Sequence, residues 1–234
     1  MVKINMDAEV FTYNVFSKAY RTLTRRQIFY LLDSLVRGNE LIRLKKGFYC
    51  KSGADKYKVA VSIYEGYISF SSALYLQGLK SEVENTVFVC TKNWNKAIEF
   101  GGVKIIPVSV SNFFYGTSPI NGILTATFPK IIADMFYRPK YASYFDMYRA
   151  INLRKLKEKE WEELYLYLKD SNISTIRRAG YSLESMAPGW FTRKLREIAV
   201  KSGGVSSFFR KKGRFIREWR LYNDINIKRF ENEI

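Results

Sequence analysis

The sequence predicts an α+β protein. An N-terminal winged helix-turn-helix is expected over residues 1–53. A mixed α/β domain over 54–234 follows it and carries a basic hairpin segment at 193–220. Three observations predict this. A capped amphipathic helix runs straight into a short basic ribbon near the N-terminus. Short apolar strand patterns and amphipathic helix patterns share the rest of the chain. The positive charge gathers at the two ends and leaves a nearly neutral middle.

The N-terminal helix is the best-defined element. Thr24 has the character of an N-cap, and Gln27 three residues on completes a capping box. Ile28, Leu31, Leu32, Leu35 and Val36 then recur at helical spacing, so one stripe faces a core. Arg25, Arg26, Gln27, Tyr30, Ser34 and Arg37 fall off that stripe, and Gly38–Asn39 stop the helix. Upstream, "DAEVFTYNVFSKAY" supplies one preceding helix or two, with Thr12 able to cap the second.

Next comes "LIRLKKGFYC" (41–50). "LIRL" and "FYC" are strand-like, and Gly47 supplies the positive φ of a tight turn. Helix, helix, then a two-stranded ribbon with Arg43, Lys45 and Lys46 is the order of a winged helix-turn-helix. Its second helix enters the major groove while the wing adds backbone contacts. The plainer alternative is a helix–hairpin unit with solvated lysines. Asp33 counts against contact by the middle of the helix unless Arg37 or Arg26 pairs with it.

In the middle of the chain, "NTVFVCT" (85–91) and "VKIIPVSV" (103–110) read as strands. Residues 105–128 carry no charge, but Pro107, Gly116, Pro119 and Gly122 prevent one continuous membrane-spanning helix. They read instead as strand, turn, strand: "IIPVSVS", "YGTSPING", "ILTATF". Helices are expected over "FPKIIADMFYRPKYASYFDMYRAI" with a break near Pro139. Another is expected over 156–170, with Trp161, Leu164, Tyr165 and Leu168 on one face, and another over Ser174–Leu183. Gly203–Gly204 open the basic hairpin, where Phe208, Phe209, Phe215 and Ile216 alternate with cations. Those aromatics either stack on bases or anchor a ribbon to the core. Arg177, Arg178, Arg210, Lys211, Lys212, Arg214 and Arg217 are candidates for a second basic surface.

Composition narrows the function. With 47% apolar and 16% aromatic residues in 234, the chain can build real cores. The formal net charge of +17 favours a polyanionic partner, nucleic acid before membrane. Residues 1–60 hold 12 Lys/Arg against 5 Asp/Glu, and 193–220 hold 10 against 2, which marks the two ends as the contact regions. There is no histidine, so Ser-His-Asp and Cys-His chemistry and histidine metal sites are excluded. No phosphate-binding glycine loop is present. Glu82–Glu84 and Glu162–Glu163 are carboxylate pairs, but the latter lies among lysines on a charged helix face, so no metal or other cofactor is expected. Cys50 and Cys90 are expected as reduced thiols in the cytoplasm, in a chain without a secretory signal.

Several segments together resemble the AbiEi-type antitoxins, transcriptional regulators of type IV toxin–antitoxin systems. The wing closes on "GFY", Gly47–Tyr49. "YKVAVSIYEGYISFSSALYLQGL" (57–79) carries the Ser72–Leu74 core and closes on Gly78–Leu79. "TATFPKIIADMFYRP" (125–139) places Lys130 and Asp134 as in that family, with Pro129 where an acidic residue is expected. "ISTIRRAGYSLE" (173–184) and "KKGRFIREWRLYND" (211–224) fit its later parts. The resemblance spans most of the chain, and the order and spacing of short motifs carry it. It implies a non-enzymatic repressor of its own promoter, bound as duplex DNA at inverted repeats. It also implies an antitoxin that counteracts a nucleotidyltransferase-like toxin, usually without a stable complex. DNA contact is then expected from Thr24, Arg25, Arg26, Gln27, Tyr30, Arg37, Arg43, Lys45 and Lys46. The alternatives are a Mg-dependent nuclease or restriction-type enzyme with a winged-helix targeting domain, and an RNA-binding or toxin-sequestering protein.

Overall fold

A computed structural model describes residues 8–82, 85–93, 96–110, 113–209 and 213–224. The fold is mixed α+β, and the chain divides into two compact units, Met1–Ile68 with Glu84–Ser109, and Ser69–Val83 with Val110–Ile234.

In the first unit, strand β1 (Val10–Thr12) leads into helix α1 (Tyr13–Ala19), with Thr12 Oγ1 accepting from Val15 N. Part of the stretch read as helical is therefore a strand, because Val10–Thr12 pair antiparallel with Phe48–Cys50. Helix α2 (Arg25–Arg37) starts at the expected capping box. Thr24 Oγ1 accepts from Gln27 N, and the Gln27 side chain accepts from Thr24 N. Thr24→Ala is expected to cost about 1 kcal/mol, measurable as a lower thermal midpoint.

Strands β2 (Leu41–Lys45) and β3 (Phe48–Lys51) form the predicted ribbon around Gly47, whose φ of 77° suits a residue without Cβ. With β1 they make a three-stranded sheet in the order β1-β3-β2. One core joins helices and ribbon: Phe11, Phe16, Ile28, Leu32, Leu35, Leu41 and Tyr49 are all buried together. Side chains of this size contribute about 1.5–3 kcal/mol each when fully buried, so ribbon and helix are fixed to each other.

Helix α3 (Lys56–Tyr64) is capped by Asp55, which accepts from Tyr57 N and Lys58 N. Glu9 ties it to the start of β1 through Lys58. Hydrogen bonds from the Lys58 ammonium and from the Asp55 backbone hold the Glu9 carboxyl below its ordinary value. This tie is therefore present above the usual carboxylate range and lost as pH falls through the lowered value. Strands β4 (Tyr67–Ile68), β5 (Thr86–Thr91), β6 (Ile98–Phe100) and β7 (Val103–Ser109) lie in the order β6-β7-β5-β4. The β5/β7 pair is parallel, and the other two are antiparallel.

The second unit begins with helix α4 (Phe70–Leu76), whose Ser72, Ala73 and Leu74 are buried. Strands β8 (Thr117–Ile120) and β9 (Ile123–Ala126) form a hairpin across Asn121–Gly122. The segment "YGTSPING", read as a turn, thus contains a strand of its own. Helix α5 (Phe128–Tyr137) ends before Pro139, as expected, and a 3-10 turn (Pro139–Tyr141) leads to α6 (Tyr144–Arg154). Helices α7 (Glu158–Lys169), α8 (Ile173–Ser182) and α9 (Gly189–Lys201) follow.

Strands β10 (Ser206–Ser207), β11 (Arg214–Ile216) and β12 (Leu221–Asn223) close the described chain in the order β10-β12-β11, with a 3-10 turn (Arg217–Trp219) before β12. The expected hairpin at 193–220 is corrected here. Residues up to Lys201 belong to α9, and β10 runs parallel to β12. Trp219 is fully buried against Gly180, where a Cβ would approach its ring to 2.1 Å. Among the described residues, no helix is long and apolar enough to cross a membrane.

Candidate nucleic-acid interface

The outer face of α2 carries cations laid over aromatic rings. Arg25 lies 5.8 Å from the Phe29 ring centroid, and Arg26 lies 5.6 Å from that of Tyr30. Both pairs have the i,i+4 spacing that brings helical side chains together. Arg26 also donates to the Tyr30 hydroxyl from Nε at 3.3 Å and Nη2 at 3.2 Å. Phe29 and Tyr30 stay 42% and 57% exposed, too open for core side chains, so these rings orient guanidiniums at the surface.

Phe29 was missed by the sequence reading, and Tyr13 counts there only as an apolar position of the preceding helix. The two rings stack at 4.9 Å with an interplanar angle of 19°. Tyr13 N also donates to the carbonyl of Gly47 at the ribbon turn, at 2.8 Å. Continuous contacts therefore run from the turn beside Lys46, through Tyr13 and Phe29, to Arg25. The i,i+4 relation of Arg25 and Phe29 was the available signal.

The candidate residues are not equivalent. Thr24, Arg25, Arg26, Gln27, Tyr30, Arg37, Arg43, Lys45 and Lys46 are all exposed. Thr24 and Gln27 are engaged with each other, the Gln27 side-chain oxygen accepting from both Thr24 N and Thr24 Oγ1 at 2.8 Å. That leaves the Gln27 amide NH₂ as the outward donor. Arg37 closes the last turn of α2 and donates from Nε to the Asp33 carbonyl at 3.3 Å. At 1.5 Å per residue it stands roughly 18 Å along the axis from Arg25, so one docking of the helix N-terminus does not engage both alike.

Lys45 is folded back. Its Nζ donates to the Ile63 carbonyl at 3.1 Å and lies 4.3 Å from the Phe48 ring centroid. Lys46, beside Gly47, is the freer ribbon cation. Lys46→Ala is expected to lower the salt slope of duplex binding by about one unit and Lys45→Ala by less. Affinity measured against salt concentration checks this.

The second basic surface shrinks. Arg177 is fully buried, with Nη1 donating to Ser206 Oγ and Nη2 to the carbonyls of Ala199, Ser202 and Gly203. Burial, then the charge of Arg220, pulls its pKa below the ordinary guanidinium value. Arg178 donates to the carbonyls of Ser207 and Phe136, at 3.0 and 3.1 Å. These two arginines join helix ends to strand β10; Arg177 is buried and presents no cationic surface, and Arg178 is half-buried with its guanidinium engaged. Arg210, Lys211 and Lys212 lie outside the described residues, and Arg214 and Arg217 are exposed.

Lys130 and Asp134 are also internal. They form an ion pair on α5 with both side chains fully buried. Ser69 Oγ donates to Asp134 Oδ2 at 2.7 Å, and the Lys130 ammonium lies 3.8 Å from the Phe113 ring centroid.

No family model matches the chain, and no curated protein matches it. A solved structure does: the crystal structure of the RV2827C protein from Mycobacterium tuberculosis. The TM-score is 0.62 at 14% identity, over 97% of this chain and 89% of that one. The likeness is one of fold.

Proposed function

We propose that this protein is a DNA-binding transcriptional regulator of the AbiEi antitoxin kind. In this reading the segment 8–53 acts as a winged helix-turn-helix, with α2 as the reading helix and the β2–β3 ribbon as the wing. It represses its own promoter in the cytoplasm, and the protein counteracts a nucleotidyltransferase-like toxin. The observation that carries the DNA reading is the contact path Lys46–Gly47–Tyr13–Phe29–Arg25. It holds a basic turn and the arginines at the N-terminus of α2 on one rigid frame. Arginines offer the forked donors that read guanine edges, and the ribbon cation adds a phosphate contact.

The test is DNase footprinting of the purified chain on the DNA upstream of its own gene. A protected inverted repeat is expected, without strand cleavage when Mg²⁺ is added. Protection no stronger than on unrelated duplex would overturn the repressor reading, and cutting would favour the nuclease alternative. Co-expression with the product of the adjacent gene tests the antitoxin part: growth arrest by that product should be relieved.

A further inference from the structure

The small C-terminal sheet divides its aromatic residues between two tasks. Phe208 and Trp219 are buried at 2% and 0% and anchor the sheet to the helices. Phe209 and Phe215 are left 51% and 43% exposed. Phe215 faces Tyr222 across the β11–β12 pair, with ring centroids 5.0 Å apart. The backbone N–H of Phe209 donates to Asp224 Oδ1 at 3.3 Å, which sets it on the other side of β12, just past Tyr222. Adjacent strands are about 4.8 Å apart, so Phe215 and Tyr222 come from neighbouring strands, and Phe209 lies two residues past the end of β10. Arg214, next to Phe215 in β11, and Arg217, in the turn that follows, are both exposed.

We propose that Phe209, Tyr222 and Phe215 form a stacking platform for single-stranded nucleic acid, with Arg214 and Arg217 contacting its phosphates. Exposed ring faces offer no advantage against a duplex, whose base faces are already stacked. They suit unpaired bases, every one of which has a flat face. The anchoring role that would explain such aromatics is already filled by Phe208 and Trp219. The exposed guanidiniums of Arg214 and Arg217 favour an anionic ligand with phosphates to contact. This site is separate from α2, so it stands or falls independently of operator reading.

The test uses the full chain and short, unstructured, fluorescein-labelled oligo-U and oligo-dT, read by anisotropy at low salt. The R25A/R26A variant serves as the background, so that the duplex-reading face is disabled. Binding of the single strands is expected to persist there. Adding F209A and F215A should weaken it by about tenfold or more. In the otherwise native chain, F209A/F215A should leave duplex binding unchanged. Both positions are exposed, so neither change removes core packing. Single-strand binding unaffected by F209A/F215A overturns the proposal. So does a changed oligomeric state with no single-strand binding, which would assign the face to contact between copies of the chain.

Discussion

Replacing Asp134 with alanine is expected to destabilise the second unit by about 3–5 kcal/mol. The change removes the carboxylate paired with the fully buried Lys130 ammonium, and with it the acceptor of Ser69 Oγ. A buried charge that loses its partner costs far more than a buried pair contributes, because the desolvation remains while the attraction is gone. The paired replacement Lys130→Met with Asp134→Leu should therefore recover most of the loss, since it removes both charges and keeps the volume. Urea denaturation of the three proteins measures this. An unchanged midpoint for Asp134→Ala would show that the pair is not closed in solution. Duplex binding should be unaffected wherever the first unit is still folded.

Arg25→Ala and Arg26→Ala should each weaken operator binding by about 1–3 kcal/mol if each arginine meets a base edge. Together that is roughly thirtyfold at the least, at 1.4 kcal/mol per factor of ten. The pattern across sequences is as informative as the size. Loss of a base contact relaxes preference at one position, whereas loss of a phosphate contact weakens all duplexes alike and lowers the salt slope. Arg26→Lys separates these further. Lysine keeps the charge but lacks the planar fork that Tyr30 now orients, so it should retain non-specific binding and lose discrimination. Unchanged affinity in both alanine variants at low salt would remove α2 from the interface.

Local features were legible in the sequence. The Thr24–Gln27 box, the stop after Arg37, the turn at Gly47 and the break near Pro139 depend on residues within a few positions of each other, and all four are formed. What escaped depends on distant partners. Val10–Thr12 is a strand only because Phe48–Cys50 lie beside it. Strand β8 hides behind Pro119, tolerated where a strand N–H is not required. Arg177 looks like a surface cation until three carbonyls from 199–203 and the Ser206 hydroxyl converge on it. At the candidate interface, the residue types were legible but their engagement was not. Nothing near Lys45 in sequence announces that its ammonium turns toward Ile63.

The bond from Tyr13 N to the Gly47 carbonyl, with Tyr13 stacked on Phe29, leaves the β2–β3 ribbon little room to swing. Such a frame surrenders little freedom when it seats, and the adjustment falls on whatever it grips. On the proposed reading of an inverted repeat, pliable pyrimidine–purine steps between its halves should then raise affinity even where no side chain reaches them. Selection of binding sites from random DNA would reveal that preference as enrichment at untouched positions.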